Sequence, residues 1–314
     1  MTAEDDVDPY LWDKSGTPDP EVRRLEVLLG RHRWKPGRSF AEARRRPSFR
    51  LAALVAAGLA VAAMIVWAIR RDVPAEGYRL VGVEGRDVVR AGEDFATGTA
   101  GARLEIGGIG HVDVEPNSKL QVSDCGPRGH RLFLEHGSVS ARIWAPPRQF
   151  RIGSPAGETI DLGCAYKLDV TPDGLVSKLS VSTGQVAFEF DGREVYVPAG
   201  AACESVRGRG PAAPVFEAAS AQFKDAVAKV EFGGEADPDA VGRMIALAER
   251  RDTLTLWHLF ASKRSSPELQ RALFARLASE FPVEPEGRLT ETGLLAGEPA
   301  MRSAWMDAMK FAWR

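Results

Sequence analysis

Three hydrophobic patterns succeed one another along the chain. Residues 51–69 read LAALVAAGLAVAAMIVWAI and have no polar face at all. Residues 77–206 alternate apolar and polar positions with a period of two, the mark of half-buried strands. From residue 215 onward the apolar positions return every three to four residues, the helical period. The first run opens at Leu51 and closes at Ile69. At 1.5 Å per residue it covers roughly 28 Å, close to the ~30 Å hydrocarbon core of a bilayer. A helix of a soluble protein nearly always shows a polar face, so the pattern predicts one transmembrane helix over residues 51–69; a buried core helix is the alternative.

Charge orients that prediction. Arg31, Arg33, Lys35, Arg38, Arg44, Arg45, Arg46 and Arg50 precede the run, and only Arg70, Arg71, Arg79 and Arg86 follow it closely. The lysine and arginine bias favours a cytoplasmic residue 1–50 arm and a periplasmic residue 72–314 portion in a bacterial inner membrane. A cleaved signal peptide is the competing reading. Its apolar stretch is shorter and its basic leader much shorter than this one. The expected partners therefore begin with the lipid bilayer.

Within the arm, Asp19-Pro20 places a capping carboxylate before a proline at the first helical position. The helix it opens carries Val22, Leu25, Leu28 and Leu29 in one stripe, and Gly30 is the stop signal. Tyr10 and Trp12 add aromatic bulk. Too little apolar surface is present for an independent core. Tyr10, Trp12, Val22, Leu25, Leu28 and Leu29 are thus read as a segment that docks on a cytoplasmic partner, helix in groove. The alternative is a tail lying on anionic lipid through its arginines.

The strands expected over residues 77–206 include Leu132–Leu134, Val139–Ala141–Ile143 and Val186–Phe188–Phe190. Pro116-Asn117, His136-Gly137, Asp173-Gly174, Thr183-Gly184 and Asp191-Gly192 supply turn signals between them. Many short strands at close spacing predict an all-β sandwich or solenoid. Residues 207–214, rich in Gly, Pro and Arg, read as a linker. Residues 215–314 read as an all-α domain. Ser266-Pro267 opens one helix, bearing Leu269, Leu273 and Leu277, and a Met301/Trp305/Met309 stripe marks the last.

Composition narrows the chemistry. The 314 residues carry a formal charge of -2, which suggests no nucleic-acid partner. The three cysteines, Cys125, Cys164 and Cys203, all follow the apolar run. On the periplasmic side disulfides are permitted, and a Cys164–Cys203 bond is expected. It would close a loop of about 40 residues, worth about 4 kcal/mol on the chain-entropy model. Two buried, unlinked thiols are the alternative. No cysteine–histidine cluster has metal spacing. No P-loop, dinucleotide fingerprint or nucleophile elbow is present. Ser154, His136 and Asp161 have the residue types of a triad but no supporting local signature. The expectation is a protein that is not an enzyme and uses no cofactor or metal.

Several segments, taken in order, carry a resemblance. Gly92-Glu93-Asp94-Phe95, Gly110-His111-Val112-Asp113-Val114 and Asn117-Ser118-Lys119-Leu120 come first. Leu132-Phe133-Leu134-Glu135-His136-Gly137-Ser138-Val139, Phe150-Arg151-Ile152-Gly153-Ser154-Pro155, Val181-Ser182-Thr183-Gly184-Gln185-Val186 and Pro198-Ala199-Gly200 follow. Together they resemble the FecR domain over residues 77–206. Gly163-Cys164-Ala165-Tyr166 stands where that family has Gly-Thr-x-Phe. The resemblance implies a single-pass membrane regulator. Its periplasmic domain would sense a partner or ligand, and its cytoplasmic arm would act on an extracytoplasmic-function sigma factor. A membrane-tethered, cell-wall-binding module is the second reading. An exposed aromatic row, such as Trp144 with Tyr166, would favour that one.

Overall fold

The computed structural model describes residues 17, 19–29, 77–126, 129–233, 238–284 and 288–313. The chain falls into two units, Met1–Ala63 and Met64–Arg314. In the first, helix α1 (Pro20–Leu29) begins where the sequence places it. Asp19 Oδ1 accepts from the Glu21 amide at 2.8 Å, and the Asp19 carbonyl accepts from Arg23 at 3.0 Å. The carboxylate thus satisfies an amide that no helical carbonyl can reach.

The second unit is built on strands. In chain order they are β1 (Tyr78–Val81), β2 (Val88–Val89), β3 (Asp94–Ala96), β4 (Ala102–Glu105), β5 (Gly110–Val114), β6 (Lys119–Gly126), β7 (Gly129–Ile143) and β8 (Phe150–Ser154). Then come β9 (Gly157–Asp161), β10 (Ala165–Val170), β11 (Val176–Thr183), β12 (Gln185–Phe190), β13 (Arg193–Pro198), β14 (Ala201–Val206), β15 (Gly210–Pro211) and β16 (Val215–Phe216). The hydrogen-bonded path runs β13-β12-β9-β8-β7-β10-β11-β14-β15.

Strand β7 organises the whole. Its first half pairs with β6 and, in parallel, with β8. Its second half pairs with β5 and β10. Leu132 and Leu134 are buried, and so are Val139, Ala141 and Ile143. The buried positions switch from even to odd numbers at Gly137, so the strand turns over there. Connectivity demands a bend. Thirteen steps of a straight strand from His130 to Ile143 span about 43 Å at ~3.3 Å each. Yet Phe150 lies beside His130, and seven residues reach at most about 25 Å. Gly137, at φ +96°, supplies the corner. A strand that crosses from one layer to the other through a bend is a known way to build such corners.

The turn expected at His136-Gly137 is therefore a bend within one strand. Thr183-Gly184 is likewise no hairpin: Gly184 alone separates β11 from β12, which pair with different strands. Asp173-Gly174 and Asp191-Gly192 do lie in turns between paired strands. Asp191 (φ 49°) and Gly192 (φ 71°) join β12 to β13 with both central residues in the left-handed region, as a two-residue type I′ hairpin requires.

Helices follow: α2 (Ala221–Phe232), α3 (Pro238–Leu247), α4 (Thr253–Ala261), α5 (Pro267–Glu280), α6 (Glu291–Ala296) and α7 (Pro299–Met309). Ser220 and Ser266 cap α2 and α5, accepting from the Phe223 and Leu269 amides. Helix α4 is buried from Thr253 to Phe260, and α5 and α7 pack on it. Trp257, Phe260, Phe274 and Trp305 pack with ring centroids 5.5–6.4 Å apart. Trp305 and Met309 are fully buried, so that stripe is core. Residues 207–214 hold β15, which pairs with β14. The Pro214 carbonyl accepts from Thr255 Oγ1 at 2.8 Å. One hydrophobic cluster runs from Tyr78 to Trp313.

The expected fold class, a membrane-anchored chain with one transmembrane helix, an all-β domain and an all-α domain, is corrected here. Residues 51–69, with Leu51 and Ile69, lie outside the described residues. Among the described residues no helix is long and apolar enough to cross a membrane. The architecture is a mixed sheet, made mixed by the parallel β7–β8 pair, with C-terminal helices packed into the same core.

Candidate interaction surfaces

Two members of the expected α1 stripe, Leu25 and Leu28, face solvent. Leu25 and Leu28 are each 56% exposed and Val27 is 72% exposed; Val22 is half-buried. Leu29 closes the helix, and Tyr10 and Trp12 lie outside the described residues. Three large aliphatic side chains in water on ten residues leave apolar surface uncovered, at roughly 25 cal/mol per Å².

Cys164 and Cys203 do not pair; all three cysteines are free and buried. The ladder explains why. Cys164 lies four residues before Leu168, which pairs with Leu179, which pairs with Cys203. Two strand spacings across and four residues along separate the two α-carbons by roughly 16 Å, far beyond the ~7 Å a disulfide allows. Each thiol has another partner. Cys203 Sγ donates to the Ala212 carbonyl at 3.3 Å. Cys164 Sγ donates to the buried Asp161 carboxylate, whose Oδ2 accepts from the Gly163 amide at 2.9 Å. Burial pushes the Cys164 thiol up, and the Asp161 carboxylate adds to it. Burial likewise raises Asp161 itself, against the pull of its donors. Both thiols are therefore protonated and poor nucleophiles at neutral pH.

The outer face of β4, β5, β7, β10 and β11 is polar. A shallow depression of about 610 Å³ there is lined by Arg103, His111, Asp113, Arg142 and Lys167 among others. Its charges pair across strands: Arg103 with Asp113 at 2.6 Å, and Lys167 with Glu115 and Asp169 at 3.1 and 3.2 Å. These exposed pairs are worth little each. Trp144 is 68% exposed, but Tyr166 is buried, so the two form no aromatic row.

A second charged group sits where the β12–β13 hairpin meets the helices. Glu231 of α2 is buried, with Oε1 3.8 Å from both Arg193 and Arg264. Its Oε2 accepts from the Ala213 amide at 3.3 Å, and its backbone carbonyl accepts from Arg209. Burial pulls Arg193 and Arg264 down, with Glu231 opposing. His258 of α4 is buried beside them; burial, and then the Arg193 charge, lower it to about 3.

No family model matches the chain, and no curated protein matches it. Two crystal structures of a candidate anti-sigma factor from Parabacteroides distasonis ATCC 8503 are similar to it, each at 12% identity, with TM-scores of 0.35 and 0.34. Each match covers 43% of this chain, and the chain spans 63% of the length of those structures. Those neighbours are of the sigma-regulator kind.

The residue types singled out for a triad have structural partners. Ser154 Oγ donates to the Gly157 carbonyl at 2.8 Å and accepts from Ser177 at 2.9 Å. Asp161 is held by Cys164 and Gly163, and His136 sits at the bend of β7. The arginine–glutamate–histidine group was not foreseen. One signal for it was available: Glu231 falls four residues after Val227 and eight after Phe223, on the buried stripe of its helix.

Proposed function

We propose that the chain regulates a sigma factor, with α1 as the docking helix and the strand-rich unit as the part that receives a second, separate ligand or partner. The observation that carries the reading is the exposed Leu25–Leu28 stripe on a capped helix. It is a preformed helix whose Leu25 and Leu28 side chains are exposed, as a helix-in-groove element requires. The motif resemblance over residues 77–206 supports the regulatory role. The reading is of a binding protein and not of an enzyme. The cell-wall-binding alternative loses the aromatic row that would have favoured it.

The test is co-purification of the full chain with each extracytoplasmic-function sigma factor of its source organism, together with transcription from the cognate promoter. Docking through α1 predicts that L25D/L28D abolishes retention. Exposed positions change stability by only about 0.5 kcal/mol or less, so the double variant keeps the parent melting temperature. Retention of no sigma factor, or undiminished retention by L25D/L28D, would falsify the proposal.

A further inference from the structure

The seam between the β12–β13 hairpin and the end of α4 holds more positive charge than its carboxylates match. A cavity of about 510 Å³ opens there, lined by Arg193, Arg209, His258, Lys263 and Arg264 among others. Two guanidinium groups, Arg193 and Arg264, face the Glu231 carboxylate, each only at 3.8 Å, while Arg209 donates to the Glu231 backbone carbonyl. Two other carboxylates line the cavity, Asp191 and Glu194. Glu194 is already tied to Arg148 at 2.5 Å, and Asp191 sits exposed in the hairpin turn.

Two sets of polar atoms at this cavity are buried and have no hydrogen-bond partner among the described residues: Arg193 Nη1 and Nη2, and His258 Nε2. Orphans of this sort are rare in folded proteins and call for an explanation. Their chemistry is complementary in an informative way. The guanidinium nitrogens are donors only. With Nε2 unpartnered and the Tyr196 backbone acting on the ring as an acceptor, the proton of the neutral imidazole belongs on Nδ1 and Nε2 keeps a lone pair. The cavity therefore asks for one group that accepts several hydrogen bonds, donates one, and carries negative charge. A carboxylate or a sulfate accepts but has no proton to give at neutral pH. Water donates and accepts but neutralises nothing. A phosphate that keeps one proton meets all three demands, and arginine forks match its oxygens.

We propose that this seam cavity is a phosphate site, taking inorganic phosphate or the phosphoryl group of a small phosphomonoester. Arg193 and Arg264 donate to its oxygens, and its remaining P–O–H donates to His258 Nε2. The bound group bridges the hairpin to the helices, joining the strand-rich and helical parts of the unit. Nothing in this depends on the sigma-factor reading, and no sigma factor is needed to test it.

The experiment is calorimetric titration of the full chain at about pH 6.0, where both phosphates keep a substantial monoprotonated fraction, and constant ionic strength with sodium phosphate, glycerol 3-phosphate, sodium sulfate and sodium acetate. Saturable binding of phosphate or glycerol 3-phosphate is expected, at least tenfold tighter than sulfate or acetate, with a rise in melting temperature. Tighter glycerol 3-phosphate assigns the site to an ester; tighter inorganic phosphate assigns it to the free ion. Arg264 is partly exposed, so R264Q retains the fold and is expected to weaken binding at least tenfold. R193Q is expected to lose it, and its circular dichroism spectrum reports whether it has folded. Absence of saturable binding by both phosphates, equal affinity for sulfate, or unchanged affinity in R264Q overturns the proposal.

Discussion

Gly137 stands directly against Ser118. A Cβ on Gly137 would lie 2.2 Å from Ser118 Oγ and 2.5 Å from its Cα. The missing side chain lets Ser118 Oγ accept from the Ser138 amide at 2.9 Å, which fixes the corner of β7. G137A is expected to cost about 2–5 kcal/mol, the sum of an L-residue at positive φ and an overpacked contact. G192A, at φ 71° with nothing within 4 Å of its Cβ, is expected to cost only about 1–2 kcal/mol. Urea titration of both variants measures the difference. Equal midpoints would mean that the corner does not depend on this contact.

How far the fold was legible follows from which signals are local. Asp191-Gly192 could be read because a two-residue hairpin needs both residues at positive φ, whatever surrounds it. His136-Gly137 carries the same kind of letters but makes a bend. Whether a chain reverses or only kinks there is decided by β6 and β8, which the local sequence does not contain. The Leu134-to-Val139 change of parity was the visible trace. The expectation of a Cys164–Cys203 bond rests on the redox compartment alone, and the register through Leu168 and Leu179, which separates the two, is not local. Helix α6 is only six residues long, too short for a periodicity to show. The seam group brings together residues from β13, α2 and α4 and the turn after it, so only Glu231, by its place on an apolar stripe, announced itself.

Free thiols make a direct prediction. All three cysteines are buried, and burial holds Cys164 and Cys203 in the protonated form. The native chain is expected to react with Ellman's reagent slowly at all positions. In guanidinium chloride it should release three equivalents without prior reduction, and a reducing agent should leave the melting temperature unchanged. Release of a single equivalent from the unreduced, unfolded chain would restore the Cys164–Cys203 bond.

Acid stability should carry the signature of His258. Its folded value of about 3 lies below the ordinary 6.5. An unfolded chain takes up the proton near 6.5 while the folded chain does not, so unfolding gains protons as pH falls. The stabilisation is complete above about 6.5 and is lost between there and about 3, at up to ~1.4 kcal/mol per pH unit. Asp161 and Asp252, both raised by burial, act with the opposite sign, since their protonation favours the folded state. H258Q removes only the histidine contribution. Between pH 6 and 4 its stability should fall less steeply than that of the parent. Parallel profiles would show that the buried imidazole does not set the slope.

The Tyr78–His130 pair ties the first strand to the start of the bent one. The Tyr78 hydroxyl lies 2.7 Å from His130 Nδ1 and 3.3 Å from the Asp124 carbonyl. Burial holds His130 below its ordinary value, with Asp124 opposing, so the ring is neutral at neutral pH and shares one hydrogen bond with the hydroxyl. Y78F keeps the ring packing and removes only the hydroxyl, leaving Nδ1 buried and without that partner. The expected loss is about 1–3 kcal/mol. H130F removes the other partner; the hydroxyl then keeps Asp124 as its only acceptor. Taken with the double variant, the two singles form a cycle whose coupling should be about 1 kcal/mol or more, because the residues share one hydrogen bond. Denaturant unfolding of all four proteins gives that number. A coupling near zero would mean that the two side chains are held independently, each by its own packing, and that the hydrogen bond adds nothing to the joint between β1 and β7.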